Sequence, residues 1–306
     1  MKIVLPGGSG HVGQVLYDHF TRRGDEAIVI SRSSGIRWDG KSLGDWTSAL
    51  EGADVVINLA GRTVNCRYNR HNMEEIMASR VDSTRVLGLA INQCTNPPKV
   101  WVQSSTATIY SHRFDAPNDD DSGVLGSPND PMPPKWLASV EVAKAWERTL
   151  DEADTPATRK VAIRSAIVMA TTPGSAFTVL AGLARRGLLG VQGSGKQFVS
   201  WIHDADFCRA IDWVIKHEIA GTVNIASPNP LPQSEFAQIL RTALGVKIGL
   251  PSPSWLLEIG TLFLRTETEL VLKSRRVVPS LLLSQGFEFE FPTWDLAAKD
   301  LVRRLT

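Results

Sequence analysis

Residues 2–5, Lys2-Ile3-Val4-Leu5, run straight into Pro6-Gly7-Gly8-Ser9-Gly10-His11-Val12-Gly13. Beyond them Val12, Val15, Leu16, His19 and Phe20 recur at helical spacing. A strand, a glycine-rich turn and an amphipathic helix in immediate succession leave few folds open. Gly7, Gly10 and Gly13 are spaced G-x-x-G-x-x-G. The first permits a tight turn, the second lets a pyrophosphate approach the backbone, and the third lets the helix pack on the strand. The phosphates would sit at the helix N-terminus, where free N–H groups and the helix dipole favour anions. Gly7, Ser9, Gly10, His11, Val12 and Gly13 are therefore expected to bind a dinucleotide.

Short β-branched runs at 2–5, 27–30, 54–58, 99–104, 160–164 and 222–226 alternate with helical patterns at about 10–23, 73–94 and 136–151. That alternation predicts an α/β fold, a Rossmann-type doubly wound parallel sheet. After Arg164 the pattern changes, and from about Pro228 the chain becomes helix-rich. The expected division is a nucleotide-binding domain of 1–170 plus about 200–227, with a smaller, helix-rich C-terminal substrate lobe of about 171–199 and 228–306.

The second strand discriminates between cofactors. NAD-preferring sites end it in Asp or Glu for the ribose hydroxyls. Here it ends Val29-Ile30-Ser31-Arg32. Arg32 offers charge-assisted hydrogen bonds to a 2′-phosphate, with Ser31 and Ser33 as further donors, so NADP is expected. Lys+Arg 33 against Asp+Glu 32 gives no reason to expect a nucleic-acid or anionic-membrane surface. Cys66, Cys94 and Cys208 match no metal or redox spacing and read as reduced thiols. No metal is expected, the Asp119-Asp120-Asp121 triplet reading as a loop or helix cap. The first strand begins almost at once, without the apolar core of a signal peptide, and the expected location is cytoplasmic.

Several segments resemble the extended short-chain dehydrogenase/reductases. Asn58-Leu59-Ala60-Gly61 resembles their N-x-A-G segment, which implies cofactor contacts at Leu59, Ala60 and Gly61. Ser104-Ser105-Thr106-Ala107-Thr108-Ile109-Tyr110 resembles the fourth-strand motif, with Thr106 at the catalytic Ser/Thr place and Ser104 and Ser105 beside the cofactor. Gly193-Ser194-Gly195 and Trp201-Ile202-His203-Asp204-Ala205-Asp206 resemble the late return to the core domain, which makes His203 a core histidine. More narrowly, Ser79-Arg80-Val81, Trp146-Glu147, 195–203, 269–279 and 286–293 are similar to an uncharacterised epimerase-like family with its own C-terminal domain of unknown function. Some of its members are labelled cell-division-inhibitor or giant-chloroplast proteins. The superfamily likeness also implies a possible homodimer through two long helices.

The chemistry departs from that pattern. Active members use Tyr-x-x-x-Lys on the helix after the fourth strand, the four-residue spacing putting both groups on one face. The tyrosines here are Tyr17, Tyr68 and Tyr110, none followed by Lys at the fourth residue; the two motif positions fall on Ser139 and Ala143. Glu141, near the lost tyrosine, or a water is expected to manage the proton, with Thr106 orienting the substrate oxygen. Where nucleotide-sugar epimerases carry a diphosphate-gripping arginine, this chain has Val199 beside Phe198. Lys273, Arg275 and Arg276 read either as an anion site or as a solvated or interface cluster. Two functions remain in view: an NADP(H)-dependent oxidoreductase of non-standard mechanism on a small, non-nucleotide substrate, or an NADP(H)-binding regulatory or scaffold protein without turnover.

Overall fold

The computed structural model describes residues 1–254 and 267–305. The first three segments form β1 (Lys2–Pro6), α1 (His11–Arg22) and β2 (Glu26–Ser31), followed by the two-residue β3 (Ile36–Arg37). Then come β4 (Val55–Asn58), α2 (Arg70–Asn92), β5 (Val100–Thr106), α3 (Pro134–Asp151), β6 (Arg159–Ser165) and β7 (Ile167–Met169). After α4 (Ala176–Arg185) follow β8 (Phe198–Val199), β9 (Trp201–His203), α5 (Asp204–Lys216) and β10 (Gly221–Ile225). The last part holds β11 (Leu231–Pro232), α6 (Gln233–Ala243), α7 (Glu269–Leu272), α8 (Ser280–Ser284) and α9 (Trp294–Arg303).

Seven strands pair in parallel in the order β10-β6-β5-β4-β1-β2-β3. The chain winds outward in one direction from β1 and in the other from β4, so the crevice between their carboxyl ends is the topological switch point. Alternation fixes which layer each side chain enters. Ile3, Leu5, Val55, Ile57, Val100 and Val102 meet Leu16 and Phe20 of α1 and Phe207, Ile211 and Val214 of α5. Val4, Val56 and Trp101 face the other way, onto Val86 and Leu87 of α2 and Leu150 of α3. Both faces of the sheet are covered, which explains why the strands read as near-continuous apolar runs.

Two helices start earlier than their apolar periodicity indicates, for local reasons. Asn69 caps α2, its side chain accepting from Asn72 N at 2.8 Å, and Pro134 occupies the first turn of α3, where no amide is missed. The two- and three-residue strands β3, β7, β8, β9 and β11 are too short to produce a readable period.

The C-terminal elements pack against the segments that follow β6. Phe177 of α4, Phe236 and Leu240 of α6, and Trp294, Ala298 and Leu301 of α9 share one core with Trp201. Trp294 stacks on Phe236 at 4.2 Å. Between α7 and α8 the chain threads back into the main body. Ser200 Oγ donates to Arg275 O at 2.7 Å and accepts from Val277 N at 2.8 Å, and Asn118 N donates to Arg276 O at 2.6 Å. The acidic triplet serves this stitching: Asp120 Oδ2 accepts from Ser280 Oγ and Leu281 N, both at 2.9 Å, at the start of α8. No helix among the described residues is long and apolar enough to cross a membrane.

His203 lies inside this joint. It is 1% exposed, accepts from Ala205 N at 3.1 Å, stacks on Phe291 and faces Asp300 of α9 at 3.1 Å. Burial holds its pKa below the ordinary value, outweighing Asp204 and Asp300, while Arg304 pushes the same way as burial. Burial also lowers His11 and His112. For a histidine with a depressed folded pKa, the unfolded chain binds more protons once pH falls to about 6.5 and below. Stability is then complete above that value and is lost on acidification. The melting temperature should fall between about pH 7 and pH 5, and less steeply in His203→Asn. A pH-independent melting temperature over that range would contradict this.

Candidate cofactor and substrate site

The turn after β1 is shaped by steric necessity. Gly7 has φ +78°, and a Cβ there would lie 2.5 Å from Ala60 N. A Cβ on Gly13 would lie 2.4 Å from Gly8 O, so α1 packs directly on the turn. Gly10, by contrast, would meet only Gly7 O at 3.6 Å. Nothing in the protein demands glycine there; what a methyl would fill is the space above the N-terminus of α1. That terminus has no side-chain cap and no acid in its first turn, so its amides face open space.

From the turn a cleft runs along the strand ends, lined by Ser9, Gly10, Arg32, Trp38, Lys41, Ala60 and Gly61 among others. Arg32 is exposed and has no carboxylate partner among the described residues. Lys41, which sequence reasoning missed, stands in the same lining. Ser31 also lines it, but its hydroxyl donates to Ser34 O at 2.6 Å and accepts from Ser34 N at 2.9 Å. It shapes the loop instead of supplying the phosphate donor expected of it, and Ser33 lies outside the lining. Asn58, fully buried, accepts from Ala60 N at 3.1 Å and donates to Gln103 at 3.0 Å, which pins Leu59–Gly61 against β5.

Leu59 and Gly61 also line a second cavity of about 370 Å³, so the two spaces adjoin. His11, Val12, Tyr68, Arg80, Ser104, Ser105, Thr106, Ser139, Ala143 and Arg275 lie in its walls, with Val64, Met73, Ile76, Val142 and Leu270 as apolar surface. Thr106 Oγ1 accepts from Thr108 N at 3.1 Å, which fixes the side chain and leaves its proton for a ligand. His11 Nε2 is buried there without a hydrogen-bond partner, while Nδ1 meets the Thr172 hydroxyl. Ser105 is committed to the protein: its Oγ donates to Glu147 at 2.6 Å, and Glu147 receives Arg164 at 2.9 and 2.8 Å.

Along α3, Ser139, Val142, Ala143 and Trp146 line the cavity, one helical stripe. The places where tyrosine and lysine would stand do face inward, and they hold serine and alanine. Glu141 does not join them. Two residues from Ser139, it is turned about 200° around the helix. It is exposed and paired with Lys144 at 3.1 Å, outside the lining. The expectation that Glu141 manages the proton is therefore corrected.

What stands behind Ser139 comes from the tail. Ser139 Oγ donates to Glu269 Oε1 at 2.5 Å, and Glu269 is fully buried beside Lys273 Nζ at 3.5 Å and Arg275 at 4.0 Å. Lys273 donates to Thr108 O at 2.7 Å and Arg275 Nε to Thr108 Oγ1 at 3.1 Å. These two cations form neither a solvated cluster nor a free anion site; they are an internal cluster around Glu269, while Arg276 lies over Phe198. Of the three tyrosines, Tyr68 lines the cavity and Tyr110 is buried against Asn224 and Arg164.

A family model described as the NAD dependent epimerase/dehydratase family matches residues 3–226, well over half of the chain. The chain belongs to that family. A second model, a domain of unknown function (DUF1731), matches residues 252–301. This epimerase/dehydratase-family chain is 30% identical to the human epimerase family protein SDR39U1, over 99% of its own length and 100% of the relative's. Similarity to YfhF of Bacillus subtilis is 26% over 99% and 98%. Human SDR39U1 (isoform2), whose crystal structure was determined with NADPH, superposes with a TM-score of 0.87 at 29% identity, covering 99% of both chains. A dTDP-4-dehydrorhamnose reductase from Clostridium acetobutylicum reaches 0.76 at 15% identity over 100% and 99%, a likeness of fold alone.

Proposed function

We propose that this epimerase/dehydratase-family chain is a cytoplasmic, NADP(H)-dependent oxidoreductase of non-standard mechanism, acting on a small substrate not linked to a nucleotide. The carrying observation is the junction at Leu59 and Gly61: a cleft lined by Arg32 and Lys41, which have no carboxylate partner among the described residues, adjoins a cavity that holds the Thr106 hydroxyl. NADPH in the human relative's structure supports the choice of cofactor. The residues fit such a group. The uncapped α1 amides would take the pyrophosphate, Arg32 and Lys41 the 2′-phosphate, and the orphaned His11 Nε2 a polar atom near the nicotinamide half. The cofactor, when bound, supplies hydride exchange with a carbonyl or alcohol. Thr106 would orient that oxygen, and the apolar wall of Val64, Met73, Ile76 and Leu270 would exclude water. Val199 stands at the diphosphate-gripping place, and of the arginines near it Arg275 is held by Glu269 while Arg276 lies over Phe198.

Arg32→Ala should weaken NADPH binding about 10- to 100-fold, the range for losing hydrogen bonds to a charged group, and leave NADH binding unchanged. Equal affinities for the two cofactors, unaffected by the substitution, would remove NADP from the reading. The absence of tyrosine and lysine at Ser139 and Ala143 favours a second reading, an NADP(H)-binding regulatory protein. Tight NADPH binding without reduction of any carbonyl in a broad panel would decide for it.

A further inference from the structure

We propose that Ser139 and the buried Glu269 of the C-terminal tail form a proton relay in place of the missing tyrosine–lysine pair, so that the tail supplies half of the acid–base machinery. This rests on the oxidoreductase reading.

Ser139 lies on the cavity-facing stripe of α3, at the tyrosine's place. Its Oγ is 2.5 Å from Glu269 Oε1 and 2.9 Å from Trp136 O. One hydroxyl carries one proton, so both bonds are made together only when Glu269 is protonated and donates. When Glu269 is ionised, Ser139 must turn its proton to it. The pair therefore has two arrangements that differ by a single proton, and one end of it opens on the cavity.

Glu269 suits the inner end. It is wholly buried, and its Oε2 has no hydrogen-bond partner. Among the described residues the charged groups beside it are Lys273 and Arg275 on the tail; across the joint stands the Tyr68 phenol, kept neutral by burial, whose backbone amide donates to Glu267. His112 accepts from Ser274 N at 2.8 Å, next to Lys273 in the chain, and Asp130 acts on Lys273 electrostatically. Burial pushes the Lys273 ammonium down to about 8, and it stands 3.5 Å from Glu269. Serine alone is a poor acid, but in a relay it takes one proton as it gives another and never carries charge.

In the oxidising direction the substrate's O–H proton passes to Ser139 Oγ as the Ser139 proton passes to Glu269. The O–H electron pair becomes the second carbon–oxygen bond, and the C–H pair leaves with the hydride to NADP+. In reduction each transfer runs backwards: the new alcohol takes the Ser139 proton, Ser139 takes the Glu269 proton, and the carboxylate is left beside Lys273 and Arg275.

The test uses the full chain with NADPH and benzaldehyde, cyclohexanone and diacetyl as probes, against Ser139→Ala, Glu269→Gln, Glu269→Asp and, as a control, Glu141→Gln. Turnover should fall about 100-fold or more in Ser139→Ala and Glu269→Gln, the usual contribution of a positioned acid or base. Glu269→Asp should restore part of it, and Glu141→Gln should leave it unchanged. NADPH affinity, read from cofactor fluorescence, should stay within about 2-fold throughout, placing the loss in the chemical step. The wild-type solvent deuterium isotope effect should change in Glu269→Gln. Full turnover in Ser139→Ala overturns the relay and leaves the oxidoreductase reading intact; this variant also decides the matter if Glu269→Gln does not fold. A wild type that binds NADPH and reduces none of the probes overturns both.

Discussion

Glu147→Ala should destabilise the chain by about 3–5 kcal/mol, the cost of stranding a buried charge. Glu147 and Arg164 are each 8% exposed and joined by two hydrogen bonds. Alanine would leave the guanidinium with Tyr110 Oη at 3.1 Å and no carboxylate. For a chain of this size the loss corresponds to a melting temperature lower by roughly 5–8 °C, measurable by calorimetry. The pair's net worth is a separate quantity. Replacing both partners by apolar residues, Glu147→Leu with Arg164→Met, should recover most of the loss, because neither charge is then left unpaired. A single variant as stable as the wild type would show that Arg164 finds another partner. The effect should also reach the site, because Ser105, the neighbour of Thr106, donates to Glu147.

The second large effect is expected at Gly7. Alanine there would hold a left-handed backbone at φ +78° and put its methyl 2.5 Å from Ala60 N. The conformational cost of about 1–2 kcal/mol and an overpacking cost of about 1–3 kcal/mol add to roughly 2–5 kcal/mol. Since Ala60 belongs to the cleft, NADPH affinity should fall with stability. Gly10→Ala is the contrast, at φ −78° and with its nearest contact at 3.6 Å. It should keep the wild-type melting temperature and lose affinity. Equal melting temperatures for Gly7→Ala and wild type would refute the steric argument; equal affinity for Gly10→Ala would place the pyrophosphate elsewhere.

Much of the nucleotide half was legible in sequence because its demands are local. A strand, a turn and a helix contiguous in the chain state their purpose in thirteen residues, and the apolar alternation of β1, β4 and β5 states the sheet. That Arg32 lines the cleft was readable because it ends a recognisable strand, whereas the same place of Lys41 was not, since it follows a two-residue strand without a period. The second cavity was only partly legible. The vacancy at Ser139 and Ala143 can be read from helical spacing, but what fills it arrives from a segment 130 residues further on. Glu141 attracted attention by nearness in sequence; on a helix, a neighbour two residues away points to the opposite side. Lys273 and Arg275 look like surface charge in any window of the sequence, and only burial against Thr108 gives them an inward role.

The threading of the tail has a consequence for how such a pocket can change over evolutionary time. Glu267 holds the Tyr68 amide at 2.8 Å, Glu269 the Ser139 hydroxyl and Arg275 the Thr108 hydroxyl, between partners 130 to 199 residues apart in the chain. Three stretches of the cavity wall are thus owned jointly by distant segments. A change at either end of the two side-chain pairs strands a polar group on the other, so drift at positions 108 and 139 should be matched by drift at 275 and 269, whereas Glu267 holds a backbone amide that any residue but proline supplies at 68. A tail grafted from a relative would bring its own half of each contact and meet the wrong complement. Divergence of ligand preference in this architecture is a covarying, two-ended process, unlike the free variation of a single loop.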